Sequence, residues 1–409
     1  MPPDSSARLD LVQAPLPAVT RLALQDFRCY GAAELAPERP LVVLTGPNGA
    51  GKTNLLEALS LLSPGRGLRR ARLDEIERRG SRGQGWAVAA SITTSRGPVE
   101  IGTGRLPEAA PAGETGSTTA RQAGRRIVRI DGVTQRSQAS LGERLAVAWL
   151  TPQMDRLFIE GASGRRRLLD RMVFGSDADH ARRLVAYEQA MRDRLRLLAE
   201  PRPDAAWLAA LEEGMAEEGA AIAAARLRLV ADLAAALAAG IGPFPVPGLA
   251  LEGMLEQRFE AADLASLALS DRRTAVAAEF RARLADQRRA DQAAGATLIG
   301  PHRTDFLVRH RAKSMPAALC STGEQKALLI ALHLAHARLV RSQRGAPPLL
   351  LLDEIAAHLD GERRRDLFTE LVGLGGQAWL TGTEASLFRD LEPHAEFFAV
   401  ADGVVTRAA

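Results

Sequence analysis

The run Gly46-Pro47-Asn48-Gly49-Ala50-Gly51-Lys52-Thr53 fits the pattern G-x-x-x-x-G-K-[ST], and each residue type in it suits a polyphosphate. Glycines let backbone N–H groups curl around phosphate oxygens at the positive end of a helix, Lys52 adds a compact charge, and the Thr53 hydroxyl suits a Mg2+ ligand. Far along the chain stand two further pieces, Ser321-Thr322-Gly323-Glu324-Gln325 and Leu349-Leu350-Leu351-Leu352-Asp353-Glu354. Four apolar residues running into two acids read as a Walker B strand. Asp353 can hold Mg2+ directly or through water, and Glu354 can orient or deprotonate an attacking water. A buried strand could end in two acids for structural reasons alone, but the phosphate loop makes the nucleotide reading the better one.

Charge usage supports that reading independently. Of 53 Lys plus Arg residues only Lys52, Lys313 and Lys326 are lysines, and the other 50 are arginine. A lysine at the phosphate-loop position, in a chain that otherwise writes positive charge as Arg, implies that a compact ammonium is required there. Lys326, directly after the Ser-Thr-Gly-Glu-Gln run, is a candidate for a similar place.

These residues must be carried by a strand-loop-helix frame. Leu41-Val42-Val43-Leu44 reads as a buried strand before the phosphate loop, and Asn54 through Leu59 as the helix after it. Residues 1–17, rich in Pro, Ser and Ala, read as a flexible tail, and an alternating strand begins at Val19. Strands are expected at 85–93, 97–104 and 125–131, with a flexible loop at 107–124 and a tight hairpin turn at Asp131-Gly132. From about 160 to 292, Ala, Leu, Arg and Glu recur at helical spacing, with breaks at Pro201, Pro203, Pro243, Pro245 and Pro247. A helix near 177–200 would reach only about 36 Å and one over 204–239 about 54 Å, stubs beside a long coiled-coil arm. Beyond 295 the alternation of strand and helix returns, with a strand at Gln377-Ala378-Trp379-Leu380 and a helix from about Gly361. No internal repeats are evident.

The expected fold class is α/β: a P-loop mixed sheet with helices, built as an ATPase head from both ends of the chain (18–155 and 295–409), plus an inserted helical lobe at 156–294. At 409 residues and 46% hydrophobic content the chain can bury a substantial core. A net charge of +4 is a mild excess, so any case for nucleic acid must rest on local clusters. Two cysteines, Cys29 and Cys320, and seven scattered histidines give neither a disulfide framework nor a zinc site. No apolar run approaches a membrane span, and the N-terminus lacks a signal-peptide core, so a cytoplasmic protein is expected.

Cys320-Ser321-Thr322-Gly323-Glu324-Gln325-Lys326 resembles the signature loop of ABC-type ATPases, although a simple helix N-cap would also place Ser before Glu. In those ATPases the loop completes the site of the opposite subunit, so Ser321, Gly323 and Glu324 are expected on a partner's ATP in a head-to-tail dimer. Asp360 matches the D-loop, and Gln153 in Thr151-Pro152-Gln153 suits the Q-loop, near Mg2+ and the attacking water. Where a switch His is usual this chain has Thr381-Gly382-Thr383, with Thr383 as the candidate. Hydroxyls cannot hold a positive charge near the γ-phosphate, which predicts slow turnover.

Together these motifs resemble the RecF family, bacterial DNA replication and repair proteins related to SMC-type ATPases. The resemblance rests on Leu24-Gln25-Asp26-Phe27-Arg28-Cys29-Tyr30, the phosphate loop continued through Asn54 to Ala58, Gly161 through Asp170, Gly300-Pro301-His302-Arg303-Thr304-Asp305, and Ser321 through Lys326. It implies ATP-dependent DNA binding, favouring duplex beside single-strand gaps, and help in loading the recombinase RecA with the partners RecO and RecR. Departures are modest. Gln153-Met154-Asp155 stands where the family often has Glu-Asp, Thr304 replaces a common Asp, and the 107–124 insertion is unusual.

For DNA, Arg66, Arg69, Arg70 and Arg72 follow the phosphate-loop helix, and Arg165, Arg166, Arg167 and Arg171 cluster where the helical lobe begins. Each cluster reads equally as a phosphate-binding surface or as a solvated, ion-paired face. Arg303 suits a lobe contact or the ATP site as well as DNA. With 4% aromatic residues a stacking platform for single strands is not evident, and contact to the duplex backbone is expected. Two other classes fit the sequence less well. An ABC ATPase coupled to another partner would lack the RecF-like motifs, and an SMC-like chromosome organiser would carry long heptad arms and a hook.

Overall fold

The computed structural model describes residues 17–81, 83–94, 97–107 and 125–408. Most of the expected tail, and nearly all of the 107–124 loop, lie outside the described residues.

The site is carried by a six-stranded sheet of order β15-β14-β3-β13-β12-β8. Its strands are β3 (Leu41–Thr45), β8 (Val147–Leu150), β12 (Leu349–Leu352), β13 (Ala378–Gly382), β14 (Ala395–Ala401) and β15 (Val404–Arg407). All neighbours are parallel except β14 and β15. Both faces are covered, which explains why β3 and β12 read as unbroken apolar runs. Leu41, Val43, Leu350 and Leu352 enter one core with the helix Thr322–Arg344, while Val42, Leu44, Leu349 and Leu351 enter another with the helix Lys52–Ser60.

The second core is closed by an antiparallel sheet of order β2-β1-β4-β5-β6-β7. It comprises β1 (Ala18–Phe27), β2 (Tyr30–Leu35), β4 (Trp86–Thr94), β5 (Gly97–Arg105), β6 (Arg126–Ile130) and β7 (Val133–Thr134). Asp131 and Gly132, with φ of 50° and 79°, form the expected two-residue turn between β6 and β7.

The helices expected near 177–200 and over 204–239 are His180–Leu198 and Ala205–Ala238, the latter continuous over 34 residues, or about 51 Å. They form a third core with the helix Leu269–Asp286, while Leu229, Leu233 and Leu237 of Ala205–Ala238 enter the same core as Leu41 and Leu350. One element within the stretch read as helical is a strand. β9 (Pro247–Glu252) pairs antiparallel with β10 (Asp305–His310), which also pairs with β11 (Met315–Pro316). The proline cluster that reads as a helix break is the lead-in to this strand, whose pairing partner lies far along the chain. Among the described residues no helix is long and apolar enough to cross a membrane.

Candidate nucleotide site and basic surface

Because β3, β12, β13 and β8 are parallel, their carboxyl ends share one edge of the sheet. The turns that leave that edge bring together Gly46–Thr53, Asp353-Glu354, Thr381-Gly382-Thr383 and Thr151-Pro152-Gln153. Ligands bind at this edge in open α/β sheets.

The phosphate loop has little freedom. Gly46 has φ 150°, and a Cβ there would meet the Val400 carbonyl at 2.1 Å; Gly51 has φ 117°, and a Cβ there would meet the Tyr30 hydroxyl at 2.5 Å. A Cβ on Gly49 would meet nothing within 4 Å, so the loop is open at this turn. Helix Lys52–Ser60 starts with no side-chain cap, so its first N–H groups stand available to an anion. Lys52 is buried and donates to the carbonyls of Gly46 (2.7 Å) and Pro47 (2.9 Å); burial pushes its ammonium pKa down.

The loop is braced from behind. The buried Tyr30 hydroxyl donates to Gly51 O at 3.0 Å, and Asn54 Nδ2 donates to Cys29 Sγ at 3.1 Å. Glu57 is 1% exposed and takes the Arg28 guanidinium at 2.6 and 2.8 Å. Arg69 reaches the same carboxylate at 3.3 Å and Asn54 Oδ1 at 2.5 Å.

Thr53 Oγ1 lies 3.0 and 3.2 Å from the Asp353 carboxylate oxygens, across 300 residues of chain. Burial raises the Asp353 pKa, with hydrogen bonds from Thr381 and Thr53 opposing it. Hydroxyl and carboxylate oxygens are the donors Mg2+ prefers. Among the described residues no group of three or more His, Cys, Asp or Glu could hold a metal, so a cation here would rely on Thr53, Asp353, phosphate oxygens and water. The donor set therefore fits a nucleotide with Mg2+.

Glu354 follows with φ 49°, a left-handed conformation unusual for a non-glycine residue. Thr383 is exposed, whereas Thr381 is fully buried with its hydroxyl on Asp353 Oδ1 at 2.8 Å. The hydroxyl on the switch strand that meets the acids is thus Thr381, two residues before the expected one. The strand end decides this: Thr381 still belongs to β13, beside Leu44 of β3, while Thr383 has left the sheet. Gln153 is exposed in the 3-10 turn Pro152–Arg156. Two residues on, Asp155 pairs at 3.5 Å with Lys326, which is buried at the start of the signature helix.

Ser321 caps the signature helix Thr322–Arg344 in a capping box with Glu324. Ser321 N donates to Glu324 Oε2 at 2.9 Å, and a hydrogen bond from Lys313 followed by those from Ser321 hold the Glu324 carboxyl down to about 2. Glu324 is therefore engaged within its own chain, whereas Ser321 and Gly323 are exposed. Asp360 caps the helix Gly361–Leu374, accepting from Arg363 N at 2.8 Å.

Over residues 18–404 the sequence matches the family described as RecF/RecN/SMC N terminal domain. It is 49% identical over 391 residues to the DNA replication and repair protein RecF of Rhizobium johnstonii, a match covering 95% of this chain and 98% of that one. The protein of that name from Brucella suis biovar 1 is 50% identical over 393 residues, covering 95% and 96%. The chain belongs to the RecF family. In fold it superposes with a TM-score of 0.79, at 21% identity, on a recombination mediator protein RecF-ATPrS of the RecFOR pathway, covering 98% of this chain and 100% of that one. An Smc head domain from Pyrococcus furiosus, with an extended coiled coil and bound to the C-terminal domain of ScpA, superposes with a TM-score of 0.51 at 15% identity, covering 96% of each chain.

Within this RecF-family chain the two arginine clusters are resolved residue by residue. Arg165 is spent on Asp305 at 2.8 and 2.7 Å and on the carbonyls of Leu157, Phe158 and Glu160. Arg166 donates to Thr304 O at 2.6 Å, and Arg69 braces the phosphate-loop helix. These three hold the fold together and are not free for a nucleic-acid backbone. Arg72 is exposed and pairs with Asp74 at 3.2 Å. Arg70 is different: after burial, the charges of Arg167 and Arg66 depress its pKa most, which puts three exposed arginines from the two clusters in one neighbourhood. Arg171 turns inward and stacks 4.1 Å from the Trp149 ring centroid.

Proposed function

We propose that this chain is an ATP-dependent DNA-binding protein of recombinational repair and replication restart, in which ATP closes a head-to-tail dimer on duplex DNA near single-strand gaps and slow hydrolysis releases it. The observation that carries the reading is the division of the motifs. Lys52, Thr53 and Asp353 meet at one sheet edge, while Ser321 and Gly323 stand exposed at the start of another helix, without hydrogen bonds to those residues. A second copy would bring that exposed helix start to the γ-phosphate, completing two sites at once. Residues 18–155 and 295–409 then act as the ATPase head, with 156–294 as a short lateral lobe.

In this reading Mg2+, when bound, offsets charge on the β- and γ-phosphates. Lys52 and the N–H groups of residues 49–54 bind the polyphosphate, Thr53 and Asp353 face the cation, and Glu354 with Gln153 orients the attacking water. Asp360 lies on the subunit interface. Arg66, Arg70 and Arg167 form the surface best suited to DNA phosphates, with Arg72 at its margin. RecA loading with RecO and RecR, and action in the cytoplasm, are the roles that family membership supports. An SMC-like organising role is disfavoured by the length of the lateral helices, of which Ala205–Ala238 is the longest described.

The test is sedimentation on gapped duplex DNA with and without ATP and Mg2+. ATP-dependent dimers that disappear in Ser321→Arg, with nucleotide binding retained, support the reading. A parent protein that stays monomeric under every condition rejects it.

A further inference from the structure

We propose that Thr381 is a positioning residue for nucleotide hydrolysis, its one hydroxyl orienting both acids at the end of β12. This inference rests on the nucleotide reading above and deepens it.

The Thr381 hydroxyl is fully buried and makes two hydrogen bonds of 2.8 Å in opposite senses. It donates to Asp353 Oδ1 and accepts from the backbone N–H of Glu354. A hydroxyl has one proton to give and lone pairs to receive, so a single oxygen satisfies a carboxylate and an amide in succession. The consequences for the acids differ. Asp353 Oδ1 is shared between Thr381 and Thr53, which fixes the rotation of the carboxylate and leaves Oδ2 facing Thr53 alone. Glu354 is held through its backbone: the N–H bond secures the left-handed turn at φ 49°, ψ 27°, and that turn sets where the Glu354 side chain leaves the sheet.

Neither bond is needed to build the sheet. β12 and β13 are already joined by the ladder Leu350, Leu351 and Leu352 against Ala378, Trp379 and Leu380. Thr381 begins its work one step past that register, where the strands end and the chemistry starts. Valine would fill the same volume and keep the β-branched preference for a strand, removing only the hydroxyl. Groups that orient a metal-binding carboxylate from behind are commonly worth about 10- to 100-fold in metal affinity or activity.

The experiment compares the parent protein with Thr381→Val and Thr381→Ser, reading the equilibrium binding of a fluorescent ATP analogue in EDTA, its dependence on added Mg2+, and kcat at saturating Mg2+. Thr381→Val is expected to bind the analogue in EDTA like the parent, to need about 10- to 100-fold more Mg2+ for the metal-dependent gain, and to lose kcat over a similar range. Thr381→Ser, which restores the oxygen, is expected to recover both. The proposal is overturned if folded Thr381→Val matches the parent in Mg2+ midpoint and kcat, or if folded Thr381→Ser is impaired in both. If valine prevents folding, Thr381→Ala replaces it with the same two outcomes. Failure of the nucleotide reading itself is distinguishable, because the parent would then not bind the analogue.

Discussion

At the scale of single residues, the site depends on groups whose partners are backbone atoms or lie far along the chain. Lys52 is held beneath the loop by two carbonyls, so it is presented to a phosphate rather than left to wave in solvent. Lys52→Ala removes that charge and is expected to weaken binding of an ATP analogue at least tenfold, by titration calorimetry, without dismantling the loop that Tyr30 braces. Arg70 and Arg167 make a contrasting prediction, because exposed guanidiniums that touch phosphates act through released counterions. Replacing either with Ala is expected to weaken duplex binding uniformly across sequences and to reduce the slope of log affinity against log salt by about 0.9 per lost contact. Replacing Arg165 is expected to act on stability, through the loss of its half-buried pair with Asp305.

At the scale of elements, the lateral helices are fastened by buried ion networks as well as by apolar packing. Arg194 is fully buried and reaches Glu212 at 2.9 Å, Asp291 at 2.7 Å and the Leu284 carbonyl at 2.7 Å, tying together four segments of the lobe. Glu212 keeps Arg288 as a second partner, but Asp291 would be left without a cation if Arg194 were removed. Arg194→Met is therefore expected to cost about 3–5 kcal/mol of unfolding free energy, measured by urea denaturation. Closer to the head, Arg226 takes both oxygens of Asp170 at 2.8 and 2.9 Å and the Pro301 carbonyl at 2.6 Å. The same Asp170 receives His180 at 2.9 Å, so three helices meet at one carboxylate.

At the scale of the whole molecule, these buried groups set a pH dependence of stability. Burial pushes His333 down to about 3 and His336 down to about 4, and each has a ring nitrogen without a partner. Both are neutral in the folded protein at pH 6, whereas imidazoles of the unfolded chain titrate near about 6.5. Below that pH the unfolded state binds more protons, so stability is full above about pH 6.5 and falls as the pH drops toward 4. Asp170 adds a second step. Burial alone would raise it, but Arg226 and His180 outweigh that and hold it down to about 2. Its contribution is present above the unfolded value of about 3.9 and is lost as the pH falls toward 2. Urea midpoints taken from pH 8 to pH 3 are expected to show this decline, flattened between pH 6.5 and 4 in His336→Leu. The proposed ATP-dependent dimer belongs to this scale too: Ser321→Arg alters an exposed helix start and is expected to abolish dimers while leaving the monomer's nucleotide affinity near the parent value.

The sequence by itself determined the phosphate loop, the Walker B acids and the alternation of strand and helix that carries them, because these follow from local pattern: glycines that need positive φ, an apolar run ending in acids, and a cap before a helix. The family was legible for the same reason, in short runs that keep their order. Only the tertiary structure decided which hydroxyl meets the acids, since Thr381 and Thr383 differ by a strand end that no local pattern marks. It also decided which arginines are free. Arg69, Arg165 and Arg166 look like Arg70 and Arg167 in composition, yet their partners Asn54, Asp305 and Thr304 are brought to them by folding. β9 escaped for another reason: Leu249-Ala250-Leu251-Glu252 is written in residue types that favour helices, with no β-branched side chain, and its strand state comes from pairing with β10.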